Sequence, residues 1–244
     1  MLEREQESLV IPSRLNKGAQ LTPRTESLLK IDGEQGALCF DQAQRWLGLL
    51  SPAAHRIKDA GILSTERTRK VLRPWIDQGL VQYKVFYVRQ RGWLWLTSKG
   101  LKYFDIPLRY YEPTPATLSH LYAVNTIRYM IAVRRPADTW RSERFLRAEQ
   151  HTPLQESKPA HLPDAELIRT NDTVIAIECE MTVKSEKRLE EIVFDLAANK
   201  RYNAVWYFLP PQGKSAITTA IHKLPLEHQQ RFMLYNLKGE VYTQ

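Results

Sequence analysis

Residues 161–180 contain His161-Leu-Pro-Asp164, a β-prone run over 165–170, Asn171-Asp172, a second run over 173–177, and then Glu178-Cys-Glu180. The reading of this stretch decides the fold. The β-branched and apolar residues on either side of an Asn-Asp pair predict a hairpin. Asp164 then opens the first strand and Glu178 closes the second, so the two carboxyls meet at one edge. Glu180 shares a face with Glu178, because strand side chains repeat every second residue. Three carboxyls so placed repel one another unless a proton, a cation or a basic side chain neutralises them.

The rest of the chain gives this hairpin its setting. With 244 residues and 43% hydrophobic content, there is length for two modest domains, each with its own core. No stretch of about 18 apolar residues is present and the N-terminal sequence is broken by acidic residues, so the expectation is a cytoplasmic protein with no membrane association. Cys39 and Cys179 lie in unlike segments without ligand spacing and are expected to be buried small hydrophobes. The charge of +8 is uneven: residues 1–115 carry 18 Lys/Arg against 12 Asp/Glu, and the remainder 17 against 15. An excess on one side of the chain suits a polyanionic partner. Spacings for a Ser-His-Asp triad, a phosphate-binding glycine loop or a dinucleotide fingerprint are absent.

Residues 1–20 lack periodicity and read as a flexible arm. Helical apolar spacing follows over 23–31 and 40–50, with a turn from Gly33 to Gly36 between them. Ser64, Thr65 and Glu66 can cap a third helix bearing Arg67, Arg69, Lys70 and Arg73, with Val71, Leu72, Trp75 and Ile76 inward. Pro74 is expected to kink or break it near Arg73. Two β-rich runs over 80–97 then form a hairpin around residues 90–92, its tip carrying Arg89 and Arg91, with Trp93, Trp95, Tyr83 and Phe86 packing it against the helices. The order of helices, basic helix, hairpin and Leu96-Thr-Ser-Lys-Gly resembles a winged helix-turn-helix domain over 21–104. That resemblance implies that Thr65, Arg67, Arg69, Lys70 and Arg73 face the major groove of duplex DNA, and that Arg89 and Arg91 touch backbone or minor groove.

Residues 105–116, with three prolines, read as a linker. The second domain spans 117–244. It opens with a helix over 118–133, passes through an ambiguous strand-then-helix segment over 140–147, and reaches the acidic hairpin. Ser185 caps a helix to about residue 201, residues 204–209 form a buried strand, a helix follows over 215–223, and strands are expected near 232–235 and 240–243. His120 on the first of these helices either packs as a hydrogen-bonded core residue or lies over the acidic site.

The succession α, β, β, β, α, β with these acidic positions resembles the PD-(D/E)XK (restriction-endonuclease-like) superfamily, giving a mixed α/β (α+β) chain. Together, SHLYAVNTIRYMI at 119–131, WRSERFLR at 140–147, PDAELI at 163–168 and IECEMTVKSEKRLEEI at 177–192 resemble the replication-relaxation family of plasmids and integrative elements, over about residues 21–210. The resemblance implies a winged helix joined to a nuclease-like domain, and DNA transactions of a mobile element: replication, relaxation, transfer or transcriptional control. In the superfamily an Asp and a Glu hold Mg²⁺ or Mn²⁺ and a lysine orients the nucleophile. Asp164 and Glu178 fit the metal positions, whereas Glu180 stands where lysine is expected; Lys184 or Lys187 can substitute, and Glu143 can add a carboxylate.

Two readings follow, and a third class, a protein-interaction adaptor, stands beside them. In the first, the protein binds double-stranded DNA as a homodimer, needs no cofactor to do so, and keeps a nuclease fold without the chemistry, Glu178 and Glu180 being paired with Lys184, Lys187 or Arg188. In the second, Asp164, Glu178, Glu180 and Lys184 form the catalytic set of a Mg²⁺-dependent endonuclease targeted by its winged helix.

Overall fold

The computed structural model describes residues 21–51, 61–150, 161–182 and 184–242; the arm expected over 1–20 lies outside them. Among the described residues the chain is mixed α/β with two sheets.

The N-terminal half runs α1 (Pro23–Gln35), β1 (Leu38–Cys39), α2 (Phe40–Leu49), α3 (Thr65–Asp77), β2 (Val81–Lys84), β3 (Trp93–Leu96) and α4 (Ser98–Tyr103). Thr22 caps α1 by accepting from the Thr25 amide at 3.2 Å, with Pro23 preset for the first turn. The expected turn at Gly33 is not there. The helix continues through Gly33 because α1 presses on the core: a Cβ at that position would sit 2.5 Å from Ile106 Cδ1 and 2.7 Å from Leu96 Cδ1. It ends at Gly36, whose φ of 95° only glycine adopts freely. Pro74 does not stop α3 either, which runs on to Asp77. The proline falls in the last turn, where it removes one hydrogen bond, and the burial of Leu72 and Trp75 keeps that turn in place. Gly79, at φ 68°, then reverses the chain.

The three-stranded sheet has the order β1-β3-β2, all antiparallel, with β3 central and fully buried. The two-residue β1 has no counterpart in the sequence reading. The hairpin strands are shorter than expected, and residues 85–92 form an irregular tip turned by the Gln90 amide donating to the Tyr87 carbonyl at 3.1 Å, with Arg89 at φ 64°.

After an irregular connection the second half runs α5 (Leu118–Arg134), β4 (Thr139–Ser142), α6 (Glu143–Gln150), β5 (Ala165–Ile168), β6 (Val174–Cys179), α7 (Glu186–Ala198), β7 (Ala204–Phe208), a 3₁₀ turn at Pro211–Gly213, α8 (Lys214–His222), α9 (Leu226–Gln229) and β8 (Phe232–Tyr235). The sheet order is β4-β5-β6-β7-β8, antiparallel through β6 and parallel from β6 to β8. Alternation along β6 divides the core. Ala176 faces α7 and α8 with Val205 and Tyr207, while Ile175, Ile177 and Cys179 face α5 with Leu167 and Phe208. The expected strand over 240–243 reduces to one bridge, Tyr235 with Val241.

The two halves are fastened together. Asn125 of α5 receives the Gln35 amide at 2.8 Å and donates to the Ala37 carbonyl at 2.8 Å; Gln42 donates to the Tyr122 carbonyl at 2.8 Å. Arg128 pairs with Glu34, Ser142 donates to the Glu34 carbonyl, and Trp140 donates to Gln35. Trp93 and Trp95 pack with Leu118 in an apolar cluster at the same seam, so these aromatics are committed to it. No helix among the described residues is long and apolar enough to cross a membrane.

Candidate functional site

The acidic hairpin forms as a unit. Its turn places Asp172 at φ 62°, and β5 and β6 align Ala165 opposite Ile177. Asp164 immediately precedes β5. Its Oδ2 accepts from the Cys179 amide at 2.7 Å, which holds that carboxyl beside Glu178. Glu178 lies within β6, not at its end, and Glu180 continues the ladder by donating its amide to the Phe208 carbonyl at 2.9 Å. Both glutamates are buried.

Each acidic group has its own basic neighbour. Asp164 Oδ1 meets His120 Nε2 at 2.9 Å, Glu178 Oε1 meets His161 Nε2 at 2.8 Å, and Glu180 is paired with Lys184, four residues on. His120 thus lies over the acidic site. His161 was quoted in the sequence but given no role there; its position three residues before Asp164, at the start of a strand, was the available signal. Lys184 is thus engaged by Glu180 as an ion-pair partner, the contact named for a nuclease fold without the chemistry. Arg188 instead pairs with Glu191.

Electrostatics follows from burial. Desolvation pushes the Glu178 carboxyl up to about 7, against the hydrogen bond from His161 and with the charge of Asp164. For His161, burial opposes protonation, but the bond and charge of Glu178 outweigh it and the imidazole is raised. The hydrogen bond to Asp164 raises His120. Glu178 and His161 therefore compete for a proton near neutral pH. Tyr207, opposite Glu178 in β7, is raised well above the usual phenol range, first by burial and then by Glu178. Its hydroxyl has no hydrogen-bond partner among the described residues.

Glu166, two residues past Asp164, is occupied elsewhere. Arg201 clamps it with Nε at 2.6 Å and Nη2 at 2.7 Å, and Arg141 adds a bond at 2.8 Å. Glu143 pairs with Arg147. Among the described residues no group of three His, Cys, Asp or Glu side chains is arranged to hold a metal ion. Each oxygen of Asp164 has one hydrogen-bond contact and keeps a second lone pair, so a cation at Asp164 and Glu178 would compete with His120 and His161 for these carboxyls.

The basic set on the N-terminal half divides in a similar way. Thr68, Leu72 and Trp75 bury one face of α3, which leaves Arg67, Arg69, Lys70 and Arg73 exposed on the other. Lys70 pairs with Glu66 at 2.8 Å and Arg73 with Asp77 at 3.3 Å, both in solvent. Thr65 Oγ1 takes the Gln44 amide at 3.3 Å. Arg91 turns back to Asp41 at 3.5 Å, so it is not a free tip residue. Arg67, Arg69 and Arg89 have no side-chain partner among the described residues.

No protein-family model matches the chain, and no curated protein sequence matches it significantly.

Proposed function

We propose that the protein is a sequence-specific double-stranded DNA-binding protein of a mobile genetic element, acting as a dimer in replication, transfer or transcriptional control. The observation that carries this reading is the exposed face of α3, where Arg67 and Arg69 stand unpaired on a helix anchored by Leu72 and Trp75. The order α1-β1-α2-α3-β2-β3 with sheet order β1-β3-β2 supports a winged helix, whose third helix enters the major groove. Lys70 and Arg73 add to the same face, because exposed i,i+4 pairs are worth about 0.3–0.5 kcal/mol and yield readily to a phosphate. The arrangement of β4 to β8 about α5 and α7 supports a PD-(D/E)XK-like second half. Its acidic groups are each answered by His120, His161 or Lys184, which favours a regulatory or dimerising role over catalysis.

The test is fluorescence anisotropy on duplex DNA with the full chain. Replacing Arg67 and Arg69 together by Ala should weaken binding and flatten the dependence of log Kobs on log[salt] by about 0.9 per lost phosphate contact. Unchanged affinity with a native circular dichroism spectrum rules the reading out.

A Mg²⁺-dependent endonuclease is the second reading, and the placing of Asp164 beside Glu178 by the Cys179 amide favours it, since it sets two carboxyls at one end of the β5–β6 hairpin. Metal-dependent nicking of supercoiled plasmid, abolished by chelator and by Asp164→Ala, decides for it.

A further inference from the structure

A cleft of about 940 Å³ opens between the irregular segment after α4, the start of α5, and the junction of β4 with α6, with Asp164 and His120 at one end. It is separate from the exposed face of α3. Its lining combines two kinds of group. Tyr110 is 42% exposed, yet its hydroxyl is tied down, donating to Gln82 at 3.0 Å and accepting from Trp95 Nε1 at 3.3 Å. Arg109, beside it, is exposed and has no side-chain partner among the described residues. Arg144 fixes this segment from below: it donates to the Gly33 carbonyl and to the Arg109 carbonyl, and its guanidinium lies over the Tyr111 ring at 5.6 Å. Arg147 adds a second solvent-open cation at the opposite wall, paired only with Glu143.

We propose that this cleft binds single-stranded DNA, with bases stacking on Tyr110 and phosphates held at the rim by Arg109 and Arg147. An aromatic ring beside exposed cations is the pairing that sequence-tolerant single-strand sites use, because every base presents a π-face and every linkage a charge. The space favours one strand. It lies at the upper end of the range for ligand pockets, about 300–1,000 Å³, whereas a duplex has a major groove alone about 12 Å wide. Asp164 and Glu143 make the floor unfavourable for phosphate, which turns bases inward and the backbone outward. The hydrogen bonds that hold Tyr110 and the anchoring by Arg144 preorganise the platform, so little side-chain entropy is lost on binding.

The test uses the full chain and a fluorescein-labelled ten-nucleotide oligothymidylate in anisotropy titrations, with a duplex run in parallel. Arg109→Glu should weaken oligothymidylate binding by at least about tenfold, and Tyr110→Leu by a similar factor, while Tyr110→Phe, which keeps the ring, stays within about twofold. Each lost phosphate contact should reduce the salt slope by about 0.7, the single-strand value. The Arg67→Ala, Arg69→Ala double variant should lose duplex affinity and keep oligothymidylate binding, so duplex affinity left unchanged by that variant defeats the proposed function and not this inference. Three results overturn the inference: no oligothymidylate binding at about 100 μM protein, the weak end of the range for sequence-independent nucleic-acid binding, unchanged binding by Arg109→Glu, or an oligouridylate of the same length binding at least about tenfold tighter, which assigns the cleft to RNA.

Discussion

Replacing Glu178 by Gln should change how stability depends on pH, and the sign can be worked from the site. The carboxyl moves from an ordinary 4.5 to about 7 in the folded chain, chiefly through burial. Between those limits the folded state holds a proton that the unfolded chain has released, so the contribution to stability is full below about 4.5 and is lost as pH rises through 7. His161 and His120 are raised above 6.5 as well, and each likewise contributes fully below that value and loses its contribution above it. All three groups slope the same way. At 1.36 kcal/mol per tenfold change in proton affinity, the Glu178 contribution amounts to the order of 3 kcal/mol. Gln keeps the shape and removes the titration. Urea unfolding followed by tryptophan fluorescence, repeated from about pH 4.5 to about pH 7.5, should show wild type losing about 3 kcal/mol relative to Glu178→Gln over that interval. A difference flat to within about 0.5 kcal/mol refutes the assignment of burial as the dominant cause.

Asn125→Ala should cost about 2–4 kcal/mol in thermal unfolding, since it strands the Gln35 amide and the Ala37 carbonyl, both at 2.8 Å from Asn125 in a buried seam; a loss below about 1 kcal/mol would mean that water takes over both bonds. Gly100→Ala places a methyl 2.1 Å from the Leu80 carbonyl oxygen and 3.1 Å from Leu96 Cδ2, and should destabilise by about 2 kcal/mol or more; a melting temperature equal to wild type would show that α4 shifts freely. Addition of Mn²⁺ should produce no binding heat in calorimetry and no rise in melting temperature, in wild type or Asp164→Ala, because His120 and His161 already hold the Asp164 and Glu178 carboxyls. A shift in wild type that Asp164→Ala abolishes would restore the endonuclease reading.

What the sequence made legible, and what it hid, follow from the range of the forces involved. Helix α5 and strand β7 were readable because their apolar spacing is a local property, and Ser64 and Ser185 announced their helices by capping chemistry that acts over three residues. Gly33 and Pro74 misled because local propensity lost to packing: Gly33 is required by the approach of Ile106 and Leu96, and Pro74 rides on the burial of Trp75. The two residues of β1 are too few to carry a period. Asp164, Glu178 and Glu180 could be placed from strand alternation. Of their partners, Lys184 is four residues from Glu180 and His120 stood as one of two alternatives, whereas His161, which reaches Glu178 across 17 residues of chain, gave no local sign of its pairing. The contact of Arg91 with Asp41 was hidden for the same reason, since Asp41 belongs to another element.

The longest-range contacts carry the strongest consequence. Residues 105–116 read as a linker, and a linker implies independent halves, but the polar bonds across the seam join residues 80 to 111 apart in sequence. Buried hydrogen bonds of this kind are costly to break singly and stabilise only when all are made. Gln35 alone engages Asn125, Arg128 and Trp140, so α1 of the first half is fixed against α5 and β4 of the second. The exposed face of α3 and the Tyr110 cleft are thereby held in one frame, and the spacing between them becomes a fixed property of the chain. A DNA with an unpaired strand at the matching distance from a duplex site gains both contacts at little extra ordering cost, because the second contact is intramolecular. The same oligonucleotides supplied separately lose that advantage. A duplex carrying a single-stranded extension should therefore bind more tightly than either part, and Asn125→Ala, by loosening the seam, should reduce that gain while leaving the affinity for duplex alone unchanged.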